Sequence, residues 1–214
     1  MNTEDQVDQS RKRVLELRKG QALSERARKS SIITRRLMTE ATGVIDWAGL
    51  KVAFYRSLPD EIDLKPLASE LQINGAQLYY PKVVSKEEGR MTWLRSTSET
   101  QWAVGSFGIE EPTGGDRLYD LGTFDLIFVP GVLFGTQGQR IGMGVGFYDR
   151  MLARNFKAIR VSLAFDFQCE DNVPQSSWDE PMDWVLTELR SIRCTQFDKK
   201  LKLLREKLQG SLKK

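Results

Sequence analysis

The run Phe124–Pro130, FDLIFVP, is apolar at nearly every residue and passes directly into a stretch with glycines at 135, 138, 142, 144 and 146. A strand that is apolar on successive residues has both faces covered, as when helices lie on either side of a parallel sheet. The rest of the chain agrees with that demand. LKVAFY, residues 50–55, reads as a second buried strand, 158–165 as a third and 182–186 as a short final one. Helical patterns fall between and around them: Asp8 to Lys19, Ser24 to about Ala41, Asp63 to the stop signal at Gly75, and Phe147 to about Asn155. Ser24 is the expected N-cap of the second helix, with Glu25 in its first turn. The expected fold is α/β, a Rossmann-like three-layer sandwich around a mostly parallel central sheet.

Residues 76–80 and 91–95 are strand candidates around the polar turn SKEEGR, either a hairpin or two sheet edges. FGIEEPTGGD is rich in turn formers and is expected to be a loop. Phe197, Leu201, Leu204 and Leu208 mark one face of an amphipathic C-terminal helix, about 195–210. At 214 residues, with no linker or internal repeat, residues 1–214 read as a single domain that opens with basic helices.

The chain has no histidine. Ser-His-Asp and Cys-His mechanisms and His-ligated metals are therefore excluded. What remains is carboxylates, Arg, Lys, Tyr, backbone amides and oxygen-bound cations, an inventory that suits magnesium-assisted phosphoryl transfer. Cys169 and Cys194 lie far apart without CxxC spacing and are expected to be ordinary thiols of a reducing compartment. MNTEDQVDQSRKR lacks the pattern of a secretory signal and no segment approaches about 18 apolar residues, so a cytoplasmic, membrane-free protein is expected. The net charge is +3, with basic residues gathered in 11–36 and 199–214. Solvated helix faces account for these runs better than nucleic acid does, because no aromatic residues are interleaved with the charge.

GTQGQRIGMGVGFYDR, residues 135–150, follows the strongest strand and precedes a helix. Amides without side-chain cover can approach phosphate oxygens there. The GxGxxG fingerprint is not met, since Phe147 stands where a third glycine would be needed, and no GK[ST] follows. Spacing alone leaves two readings open, a phosphate cradle or a flexible surface loop.

Taken together, RKRVLELRKGQALSERARKSSII, FYRSLPDEID, FGIEEP, VPGVLF, GQRIGMGVGFYDR and WDEPMDWVLTE stand in one order along residues 11–188. In these segments the chain resembles the 5-formyltetrahydrofolate cyclo-ligases, also called methenyltetrahydrofolate synthetases. The glycine-rich block with FYDR carries most of the specificity. The resemblance implies a ligase that uses ATP and Mg2+ to convert 5-formyltetrahydrofolate to 5,10-methenyltetrahydrofolate, releasing ADP and phosphate. The implied course is attack of the formyl oxygen on the γ-phosphate, then ring closure by the neighbouring folate nitrogen with loss of phosphate.

The resemblance also implies roles for residues. Arg140 and Tyr148 would be catalytic. ATP would meet Arg11, Arg13 or Arg18 from the basic N-terminal segment, together with Arg140, Ile141, Gly142, Met143, Gly144, Val145, Gly146, Phe147, Tyr148 and Asp149. Folate would meet Arg56, Ser57, Glu61, Gly144, Val145, Gly146, Phe147 and Tyr148. Asp149 and Asp183 would hold the magnesium. Val145 and Gly135 depart from many relatives, which keeps a second reading: a non-catalytic folate- or nucleotide-binding paralogue on the same fold. A small-molecule substrate, no nucleic-acid or membrane partner and a monomeric state complete the expectations.

Overall fold

A computed structural model describes residues 3–118, 121–155, 157–174, 179–194 and 196–211. The chain opens with α1 (Thr3–Lys19) and α2 (Leu23–Ala41), then β1 (Lys51–Ala53), α3 (Lys65–Ile73) and the hairpin β2 (Gln77–Ser85) with β3 (Arg90–Arg95). Three short strands follow, β4 (Trp102–Val104), β5 (Glu110–Pro112) and β6 (Arg117–Leu118). Next come β7 (Leu126–Phe128), β8 (Leu133–Gly135), β9 (Arg140–Ile141), α4 (Phe147–Leu152), β10 (Ile159–Leu163) and β11 (Cys169–Glu170). β12 (Trp184–Leu186), β13 (Ser191–Arg193) and α5 (Phe197–Ser211) end the described chain.

Eight strands form one sheet in the order β13-β12-β10-β7-β1-β2-β3-β6. The middle five, from β12 to β2, are parallel throughout, and antiparallel neighbours flank them at both edges. This is the α/β fold that the continuous apolar run requires. Alternate residues of each central strand go to opposite faces. Val52, Leu126, Phe128, Ile159, Val161, Trp184 and Leu186 pack with Leu37 of α2, Leu67 of α3 and Leu201 of α5. Ala53, Ile127, Val129 and Val185 pack on the other face with Met151 and Leu152 of α4 and with Phe134. Val14 of α1 joins a smaller cluster with Val132, Leu133 and Ile141, which fastens the N-terminal helix to the β8–β9 hairpin.

Two local expectations change. Ser24 is not the N-cap of α2: the helix begins at Leu23, Ala22 takes the extended capping conformation, and no side chain caps it. The chain leaves α1 at Gly20, so Ala22 already has the backbone geometry that precedes a helix, and the Arg26 amide bonds its carbonyl. FGIEEPTGGD is not wholly loop. Its turn formers reverse the chain over 106–108, after which β5 pairs with β4, because strand pairing satisfies backbone groups that a loop would leave to water. The uncertain pair around SKEEGR proves to be a hairpin, and Pro81 sits within β2 opposite Trp93.

α5 is tied down by chemistry as well as by its apolar face. The Asp183 carboxylate accepts the Arg160 amide at 2.8 Å and the Lys200 ammonium at 2.7 Å, and both side chains are buried. Lys200→Met leaves that carboxylate in the core without its counter-charge, and the expected loss is about 3–5 kcal/mol of unfolding free energy. Urea denaturation checks this; a loss below about 1 kcal/mol contradicts a buried pair. Burial pushes the Cys169 thiol up to about 12 and the Cys194 thiol up to about 11, which suits inert cysteines. No helix among the described residues is long and apolar enough to cross a membrane.

Candidate active site

β1 runs onward to β2 on one side of the sheet, while β7 lies on its other side and leads away to β10. The chain therefore diverges in two directions between β1 and β7. In open α/β sheets the crevice beyond the carboxyl ends of two such strands is where ligands bind. A cavity of about 940 Å³ lies there, lined by Tyr55 and Arg56 after β1, Pro130 and Gly131 after β7, and every residue from Arg140 to Arg150.

The glycine-rich loop crosses this cavity. Arg140 and Ile141 are paired to the hairpin strand β8, and residues 142–146 then run free to α4. Gly144 and Gly146 hold φ of +90° and +71°, a left-handed backbone that side chains disfavour, so these two positions demand glycine. Two arginines hold the loop by its carbonyls. Arg11 of α1 donates through Nε to Gly142 O at 3.0 Å, and Arg150 donates through Nη2 to Val145 O at 2.9 Å. With those carbonyls engaged, the loop amides remain the groups available to an anion.

Arg140 is 8% exposed. Its Nη2 donates to Asp149, its Nη1 reaches Pro130 O at 3.4 Å, and its buried Nε meets no hydrogen-bond partner among the described residues. Arg140 nonetheless lines the cavity, and a little-screened guanidinium there favours an anion.

Across the cavity stands Glu61, one of whose carboxylate oxygens accepts the Leu58 amide at 2.9 Å and the other Arg18 at 3.1 Å. Burial raises its pKa against the pull of the Arg18 charge. Burial, and then the Glu61 charge, also raise Tyr148, so its hydroxyl stays protonated and is a donor. Aromatic rings supply the remaining wall. Phe147 meets Phe107 edge to face at 6.0 Å, and the Arg56 guanidinium lies 3.8 Å from the Trp102 ring centre. Phe107 was not a candidate from sequence. It is 52% exposed and holds φ of +60°, a conformation that only its place between Ser106 and Gly108 in a turn would have hinted at.

The model of the 5-formyltetrahydrofolate cyclo-ligase family matches residues 3–188. The chain belongs to this family. A member of it, the 5-formyltetrahydrofolate cyclo-ligase of Haemophilus influenzae, is 34% identical over 138 residues, 63% of this chain and 74% of that protein. The Escherichia coli K12 protein of the same name is 32% identical over 139 residues, 64% of this chain and 76% of its own. The solved Aquifex aeolicus 5,10-methenyltetrahydrofolate synthetase superposes with a TM-score of 0.75 at 35% identity, covering 87% of this chain and 92% of that one.

The structure of this cyclo-ligase family member gathers some of the residues singled out from sequence and separates others. Arg11, Arg56, Glu61, Arg140 and Ile141 through Asp149 all line the one cavity. Ile141 is buried among Val14 and Leu133, so its side chain supports the loop from beneath. Four candidates do not line the cavity. Arg18 is 2% exposed and forked between Asp60 and Glu61, and Arg13 pairs with Glu170. Of the three N-terminal arginines, only Arg11 lines the cavity. Ser57 lines a smaller neighbouring pocket of about 80 Å³. Asp183 lies in the core, where its Oδ2 accepts the Lys200 ammonium and the Arg160 amide. Gly135 and Gly138 also lie outside the cavity, in the β8–β9 turn, where a Cβ on Gly138 would meet Met182 O at 2.3 Å.

Proposed function

We propose that this chain catalyses the ATP- and magnesium-dependent cyclisation of 5-formyltetrahydrofolate to 5,10-methenyltetrahydrofolate, with release of ADP and phosphate. The observation that carries the reading is that one cavity joins two unlike sets of groups. The first is Arg140 with the glycine loop. The second is the carboxylate of Glu61 with the rings of Phe107, Phe147 and Tyr148. The first suits phosphate oxygens, and the second suits a flat ring with N–H donors. At about 940 Å³ the space is at the upper end of single-ligand pockets, as two substrates require.

Among the described residues no three or more carboxylates or thiols gather as a metal cage. Asp149, at the cavity and beside Arg140, fits a magnesium that arrives with nucleotide phosphates, since that ion keeps several waters and takes only one or two protein carboxylates. When bound, the ion supplies neutralisation of phosphate charge. The residues do the rest. Phosphates compete with Asp149 for the Arg140 guanidinium, and the loop amides complete their coordination. Glu61 and Phe147 orient the folate so that its formyl oxygen faces the γ-phosphorus. The P–O bond to ADP breaks as the formyl oxygen bonds to phosphorus. The neighbouring ring nitrogen then attacks the activated carbon and gives up its proton, the C–O bond breaks, and phosphate departs with the formyl oxygen. Tyr148, a neutral hydroxyl, donates to oxygen charge along this course, while the aromatic wall keeps water from the activated intermediate.

Incubating the purified chain with 5-formyltetrahydrofolate, ATP and magnesium tests the proposal through the absorbance of the methenyl product and the release of ADP. Product that requires both ATP and magnesium is expected. Ligand-induced melting shifts without ADP release would instead identify a binding protein without turnover.

A further inference from the structure

Beside the cavity lies a cluster of which the reaction scheme uses only Glu61. Arg18 extends from α1 under the turn formed by residues 57–62. Its Nε and Nη2 hold the Asp60 carboxylate at 3.0 and 2.9 Å, and its Nη1 holds Glu61 at 3.1 Å. One guanidinium thus serves two adjacent carboxylates, and only Glu61 of the two lines the cavity. We infer that Arg18 is a positioning residue for folate recognition, keeping Glu61 ionised and aligned so that it can accept N–H donors of the substrate ring. The inference rests on the proposed folate-binding role of Glu61 and deepens it.

The physical argument is one of charge balance. Glu61 has only 13% of its side chain exposed, so water does little to stabilise its negative form. Burial and the Asp60 charge both favour its protonation, while Arg18 and the Leu58 amide oppose it. The hydroxyls of Tyr55 and Tyr148 also face this charge, and Glu61 raises both. A neutral Glu61 would present an O–H where the substrate needs an acceptor. Each carboxylate oxygen already takes one bond, from Arg18 or from Leu58, and retains a lone pair for a ligand. The fork also sets direction. A carboxylate held at both oxygens cannot swing, and that rigidity is what lysine, a point donor, would not reproduce.

A double-variant cycle tests this on the full chain, with 5-formyltetrahydrofolate binding measured calorimetrically without ATP. Arg18→Lys is expected to weaken folate binding roughly tenfold, as loss of a hydrogen bond to a charged group does. Glu61→Gln is expected to weaken it at least as much. The combined variant should bind within about twofold of Glu61→Gln, since Arg18 has nothing left to position. The KM for ATP should stay within about twofold in Arg18→Lys, because the guanidinium does not line the cavity. Wild-type affinity in Arg18→Lys, multiplied losses in the combined variant, or a selective rise in the KM for ATP would each overturn the inference.

Asp60→Asn supplies a second reading that does not require Arg18 to be changed. Removing the like charge beside Glu61 should move the acid limb of folate binding to lower pH, and an unmoved limb overturns the inference. Wild-type turnover, followed in parallel, judges the reaction separately. A chain that binds folate without converting it overturns the cyclisation while the cycle still decides Arg18; a chain that binds no folate overturns both.

Discussion

Replacing Arg140 by methionine is expected to lower kcat about 10³-fold, with a smaller rise in the KM for ATP. The size follows from burial. Arg140 is 8% exposed, so solvent screens its charge poorly, and its Nε is a donor without an acceptor of its own. In the proposed transfer the charge of the phosphoryl group is spread over its three equatorial oxygens, and a fixed guanidinium needs no reorganisation to meet it. Arg140→Lys keeps the charge and loses the planar fork, so it should recover only about tenfold of the deficit. Methionine matches the stem well enough to maintain the contacts beneath the loop. A melting curve near that of the wild type would show that the deficit lies in the chemistry. Activity of Arg140→Met within about threefold of wild type would remove the guanidinium from the mechanism.

Asp149→Asn is the second large effect, an expected fall of about 10²-fold in kcat together with a need for about tenfold more magnesium at half-saturation. Two roles for this carboxylate have to be separated, because it pairs with Arg140 in the structure. If it only orients the arginine, the substitution lowers turnover at every magnesium concentration and leaves the magnesium dependence unchanged. If it contributes an oxygen to the ion, the dependence itself moves. Asparagine keeps the size and one oxygen, so the fold should hold. A magnesium titration of initial rates, with the nucleotide in excess, distinguishes the two, and an unmoved midpoint would rule out the metal role.

The two substitutions also bear on how the resting site is arranged. On the proposed reading, phosphate and cation would each replace one half of the Arg140–Asp149 pair. Nucleotide and magnesium entering together would exchange one ion pair for two, and neither charge would be left alone in a partly buried site.

Much of this was legible in the residues. FDLIFVP required cover on both faces, and the structure provides it from α2, α3 and α5 on one side and α4 on the other. The absence of histidine narrowed the chemistry before any site was found. The glycine spacing located the loop, and the segments quoted for resemblance fall within the residues that the family model matches. The candidates that lie outside the cavity share a physical cause. Arg18, Arg13 and Asp183 are charged residues in suggestive segments, and a sequence does not say which charges have partners elsewhere in the fold. Arg18 finds Asp60, 42 residues away, and Asp183 finds Lys200, 17 residues away. Gly135 and Gly138 look like members of the loop but serve a tight turn and a close backbone approach.

Local pattern alone determined the class of fold and the position of the loop, because periodicity and backbone freedom are properties of neighbouring residues. Tertiary structure alone decided which arginine of the N-terminal segment, which carboxylates and which aromatic rings line the cavity. Those outcomes depend on ion pairs and contacts between segments far apart in the chain, whose strength is set by distance and burial and not by sequence order.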